Sequence, residues 1–158
     1  MIAVSYGDVG TCDHFITKDR LSKGYDGKTH GITFRDRVSG WAESTGVIDK
    51  SVDLATDAPC HWVGTCTTYR HMCSDGSPEL IKAMKNLGVP LDNSHPGRPT
   101  NNARAERSNR HVLAGARDLL LRAGLPTPFW TYALVYFCLC CNIRECGGKP
   151  SAWFKRFG

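Results

Sequence analysis

Nowhere does the sequence hold an uncharged apolar stretch of the roughly 20 residues that crosses a bilayer. The longest apolar run, residues 132–141, is about half that length and reads as a buried helix, so no membrane partner is expected. No basic segment followed by an apolar one opens the chain, so a secretory leader is not expected either. Internal repeats and low-complexity tracts are also lacking, which argues against a repeat architecture and against a disordered chain. The cluster Cys60, His61, Cys66, His71 and Cys73 does not have finger or knuckle spacing, which starts from a close cysteine pair, so structural zinc is not expected there. The 8 cysteines lack a secreted context and do not suggest a disulfide framework. They read as free thiols packed as small hydrophobes, in an intracellular, reducing setting.

What is present is the material of one ordinary domain. At 158 residues, 41% hydrophobic and 22% charged, the chain can bury a substantial core. Its net charge of +5 is concentrated. Arg98, Arg104, Arg107, Arg110, Arg117 and Arg122 face only Glu106 and Asp118 in the same stretch, which therefore carries +4. Such a segment suits a polyanionic partner better than evenly spread charge would.

Local signals give an order of three strands, helix, strand, helix, strand, helix, helix. Residues 9–17, 30–35 and 40–48 read as strands, with a tight turn at 36–40. A helix follows to about Val63, with Val52, Ala55 and Trp62 as core candidates. Residues 67–73 read as a strand and 79–87 as a helix, with Pro78 in its first turn and Gly88 closing it. Residues 89–91 can form one more strand, and 93–100 a loop. Residues 101–123 and 129–144 are the two longest helical patterns, the second far more apolar. This mixture predicts an α/β sheet with helices packed on it.

Three carboxylates stand where phosphoryl-transfer chemistry would use them. Asp13 lies in the first strand and Asp75 directly follows the fourth, where open α/β sheets place functional groups. Glu106 lies early in the long basic helix. On that helix Ala105, Val112, Ala116, Leu119 and Ala123 fall on one side, which should face the core, and Arg104, Arg107, Arg110, Arg117 and Arg122 on the other. Glu106 sits near the seam between the two sides. In-line attack on a phosphodiester builds negative charge on the entering and leaving oxygens. Two Mg²⁺ ions about 4 Å apart, held by hard carboxylate oxygens, can stabilise both. Arginines beside them can position the phosphate backbone.

The residues around these carboxylates resemble retroviral-type integrase cores, and specifically those of copia-type retrotransposons. Cys12-Asp13-His14-Phe15 and Ile32-Thr33-Phe34-Arg35-Asp36 are similar to the family's opening strands. Ser74-Asp75-Gly76 looks like its second-aspartate motif. His95-Pro96-Gly97-Arg98-Pro99-Thr100-Asn101-Asn102-Ala103-Arg104-Ala105-Glu106 looks like its proline-rich loop and glutamate helix, with Asn102 where relatives carry glycine. Ala116-Arg117-Asp118-Leu119-Leu120, Gly124-Leu125-Pro126 and Phe129-Trp130 continue the likeness, and it runs on to Gly148-Lys149-Pro150-Ser151-Ala152-Trp153. The resemblance implies an RNase H-like mixed five-stranded sheet flanked by helices, with a catalytic core over 1–145 and the start of a C-terminal extension over 146–158.

It further implies a catalytic and metal-binding triad of Asp13, Asp75 and Glu106, the last two 31 positions apart, holding two Mg²⁺ (or Mn²⁺) ions. Asp36 is the alternative first aspartate should Asp13 face away. Asn101, Arg104, Arg107 and Arg110 are the implied DNA contacts. The implied function is DNA integration by a polynucleotidyl transferase from a Pol polyprotein, which trims element ends and joins them to target DNA in the nucleus as a homodimer or higher oligomer. The alternatives are an RNase H-like nuclease, a domesticated transposase, or an inactive nucleic-acid-binding relic.

Overall fold

The computed structural model describes residues 3–16, 23–63, 69–74, 76–93 and 99–158. Strand β1 (Gly10–Ile16) pairs antiparallel with β2 (His30–Asp36), which pairs antiparallel with β3 (Ala42–Val47). On its other side β1 pairs parallel with β4 (Met72–Ser74), and β4 parallel with β5 (Leu91–Asn93). The result is a mixed five-stranded sheet in the order β3-β2-β1-β4-β5. Helix α1 (Val52–Val63) links β3 to β4, and α2 (Pro78–Asn86) links β4 to β5. Helices α3 (Pro99–Ala123) and α4 (Trp130–Ile143) follow, joined through a 3-10 turn at Thr127–Phe129, and α5 (Ala152–Phe157) ends the chain.

The element order agrees with the sequence reading, with local differences. Strand β4 is only Met72–Ser74, and α3 already starts at Pro99, where a proline costs no intrahelical hydrogen bond. Within residues 146–158 a turn bridged by Cys146 and Lys149 leads into α5. Its Ser151 caps the first turn by accepting from Phe154 N at 3.1 Å. No helix among the described residues is long and apolar enough to cross a membrane.

Because side chains alternate along a strand, the sheet has two unlike faces. One presents Cys12, Ile32, Phe34 and Met72, which pack on Ala55 of α1 and Leu80, Ala83 and Met84 of α2. The other is covered by α3 and α4, whose own core is Val112, Ala116, Leu120, Trp130, Ala133, Leu134 and Cys138. Gly115 permits the close approach of those helices: a Cβ there would run into the Phe137 ring. Asn142 clamps α4 to the edge strand. Its amide accepts from Ala42 N at 2.9 Å and donates to Ala42 O at 2.8 Å, completing backbone that a neighbouring strand would otherwise satisfy.

Candidate active site

Asp13 lies at the middle of β1, opposite Thr33 of β2, and is buried at 8% exposure. It faces the α3 side of the sheet. The side-chain amide of Asn109, in the third turn of α3, donates to Asp13 Oδ2 at 2.9 Å. Glu106 is three residues earlier on the same helix, hence on the same flank, and is exposed. The hydrogen bond therefore draws the turn bearing Glu106 over the strand bearing Asp13. The parallel register, Gly10 beside Met72 and Thr11 beside Cys73, brings β4 up alongside β1. Strand β4 ends at Ser74; Asp75 lies outside the described residues.

Asp36, the alternative to Asp13, has a different occupation. It is fully buried at the end of β2, where its Oδ1 accepts from Val38 N, Ser39 N and Ser39 Oγ at 3.1, 2.7 and 2.7 Å. Its Oδ2 accepts from Gly7 N at 3.2 Å and the Tyr69 hydroxyl at 3.3 Å. Burial, with the Asp36 charge beside it, pushes the Tyr69 phenol well above its ordinary range, so it stays a donor. Asp36 organises the β2–β3 turn and the approach of the N-terminal segment.

Of the expected DNA contacts, Arg104, Arg107 and Arg110 are exposed on α3, and Arg107 Nε also donates to Ala103 O at 3.0 Å. Asn101 lies in α3, and its side chain is outside the described ones. Asn109 escaped the sequence reading. The signal was there: a polar residue one turn after Glu106, between Ala105 and Val112 on the side that should face the core. Ser108 is buried on the same side.

In the cysteine- and histidine-rich stretch, Cys60, His61 and Cys66 lie outside the described side chains. His71 and Cys73 of the β4 region meet Asp92 of β5, with one ligand atom from each within 4.8 Å of the others and His71 Nε2 3.6 Å from Asp92 Oδ2. Burial pushes the Cys73 thiol up, against the pull of Arg37. Cys73, Cys138, Cys140, Cys141 and Cys146 are free thiols, the first two buried.

The donors around Asp13 are oxygens: two carboxylates on adjoining elements, and the buried Asn109 Oδ1, which accepts no hydrogen bond among the described residues. Hard oxygen donors of this kind fit Mg²⁺ or Mn²⁺ better than a soft metal.

No protein-family model and no curated protein matches the sequence. Solved structures do match the fold. A chain of the simian T-cell lymphotropic virus intasome, in complex with the PP2A regulatory subunit B56 gamma, superposes with a TM-score of 0.75 at 16% identity; the match covers 99% of this chain and 56% of that one. The HTLV-2 integrase catalytic core, in complex with magnesium in a dimeric form, gives 0.72 at 13% identity, covering 99% and 100% of the two chains. The BIV integrase catalytic core gives 0.66 at 15% identity, covering 94% and 92%. The fold is that of an integrase catalytic core.

Proposed function

We propose that the chain is the catalytic core of a DNA-integrating polynucleotidyl transferase of the copia-type retrotransposon kind. The observation that carries this reading is the 2.9 Å contact from Asn109 to Asp13, which sets the Glu106 turn over β1 within an integrase-core fold. Asp13, Asp75 and Glu106 would hold two Mg²⁺ or Mn²⁺ ions, a proposal supported by the oxygen donor set and by the magnesium in the HTLV-2 core. Bound there, the ions supply charge neutralisation at the entering and leaving oxygens and lower the pKa of the attacking hydroxyl.

The chain's own residues do the rest. Asn109 fixes the rotamer of Asp13, so that one carboxylate oxygen is committed to the amide and the other is directed away from it. Arg104, Arg107 and Arg110 hold phosphates of the DNA strand along α3. In trimming, a water oxygen attacks phosphorus at the element end, the P–O3′ bond breaks, and the leaving oxygen takes a proton to become a free 3′-hydroxyl. In joining, that hydroxyl attacks a target phosphodiester, loses its proton to solvent and expels the target strand's 3′-oxygen.

Two DNA ends must be handled together, which calls for more than one protomer. Tyr132, Val135, Tyr136, Leu139 and Ile143 recur at helical spacing on α4 and are 45–58% exposed. That stripe suits a second copy, and a dimeric form is known for the HTLV-2 core. The test is cleavage and joining of labelled DNA ends with Mg²⁺ or Mn²⁺, comparing the parent with Glu106→Gln. The parent should yield both shortened and joined strands, and the variant at least about 100-fold less of both. Shortened strands without joining indicate a plain nuclease; an active variant removes Glu106 from the triad.

A further inference from the structure

Beside the carboxylates, on the other flank of α3, lies a pocket of about 480 Å³, within the range of about 300–1,000 Å³ usual for ligand sites. Its charged lining comes from three separate parts of the chain: Arg35 and Arg37 from β2 and its turn, Arg104 and Arg107 from α3, and Lys155 from α5. Asp36 also borders it, but that carboxylate is engaged by the five turn and core donors already described. Among the described residues, none of the five cations has a carboxylate within 4.0 Å, whereas Arg70, Arg122 and Arg156 each do. Five like charges around one concavity repel one another, and an anion bound among them relieves that cost.

The position of Lys155 is built, not incidental. Its neighbour Arg156 is locked in place: its guanidinium lies 4.6 Å from the Tyr6 ring centroid and 4.4 Å from that of Trp41, and it meets Glu43 at 3.6 Å. Trp153 and Phe157 pack on Trp41 as well, with centroids at 5.7 and 5.6 Å. The short α5 is thereby folded onto the domain, and Lys155 reaches the pocket.

The geometry points to a phosphate-binding pocket that extends the α3 DNA path to Arg35, Arg37 and Lys155 and seats consecutive phosphates of a nucleic-acid strand passing beside the carboxylates. It rests on the nucleic-acid partner of the proposed function but not on the triad. A polymer fits better than a lone phosphate because the positive lining extends beyond one anion. Arg104, Arg107 and His111 line the pocket along one edge of α3, and the first and last are seven residues, about 10 Å, apart along the axis. Arg110, exposed on the same helix between Arg107 and His111, adds a further positive charge within that span.

The test measures binding alone, with the full chain, a labelled DNA duplex and EDTA in place of metal, so that turnover does not enter. Arg37 and Lys155 are exposed, so the double variant Arg37→Ala/Lys155→Ala should melt like the parent. It should bind DNA about ten-fold more weakly at physiological salt, and the slope of log affinity against log salt should fall by about two. An unchanged slope overturns the proposal. So does displacement of DNA by tripolyphosphate from the parent, at concentrations that fail to displace it from the variant, without a slope change; the pocket would then be a small-anion site. Loss of slope in a protein that never turns over DNA leaves the pocket standing and overturns the triad instead.

Discussion

Successive residues of β1 look into two different worlds. Cys12 points to α1 and α2 and joins an apolar cluster with Ile32, Phe34, Ala55, Leu80 and Met84, at whose edge the buried Asp36 accepts from Tyr69. Thr11 and Asp13 point to α3: Thr11 lines a pocket together with Arg104, Arg107 and Ser108, and Asp13 accepts from Asn109. Only farther along the strand, where Phe15 meets Trp130 edge-on at 6.1 Å, does the second face become an ordinary core. The first face supplies cohesion, through apolar area removed from water. The second spends part of its area on polar groups, whose burial costs free energy unless each is paired. A fold gives up cohesion in that way where the polar groups have work to do.

Changes on the two faces should therefore separate stability from chemistry. The largest effect is expected on the cohesive face: Leu80→Ala, at a fully buried position of α2, should cost about 3 kcal/mol in urea unfolding, while turnover per folded molecule stays near the parent's. Loss of turnover out of proportion to unfolding would break the comparison. Asn109→Ala should do the reverse. Its expected loss is about 10- to 100-fold in metal-dependent turnover, about 1.4–2.7 kcal/mol, together with a rise of about ten-fold in the Mg²⁺ needed for half-maximal rate. A merely structural asparagine would leave that metal requirement where it was. The smallest effect tests what holds the polar face together. Asn142→Ala should cost about 1–2 kcal/mol in stability by leaving the Ala42 backbone without its clamp, and should not change the metal requirement.

The elements were legible because their signals are local. Pro78 sits in the first turn of α2, and Gly88 and Gly124 adopt positive φ of 67° and 65° just past helix ends, where left-handed backbone favours glycine. The buried side of α3 was legible as far as Ala116, with Ala105, Val112 and Ala116 buried. Beyond it Leu119 is half-buried and Ala123 exposed, while Leu120 is buried in their place. The reason is α4: it packs against one side of the helix end and draws the buried stripe toward Trp130 and Ala133. Helix α5 was not legible, because its hold on the domain is tertiary, through Arg156 and the Trp41 cluster.

By itself the sequence settled the alternation of strands and helices, the basic character of α3, and the choice of Asp13, Asp75 and Glu106 as carboxylates worth testing, since periodicity, turn residues and motif order are written along the chain. Only the tertiary structure decided which polar residues meet. The Asn109–Asp13 contact joins positions 96 residues apart, and the pocket gathers cations from β2, α3 and α5. Such meetings depend on strand pairing and on helix placement over the sheet, and those are set by the burial of apolar faces that no single segment contains.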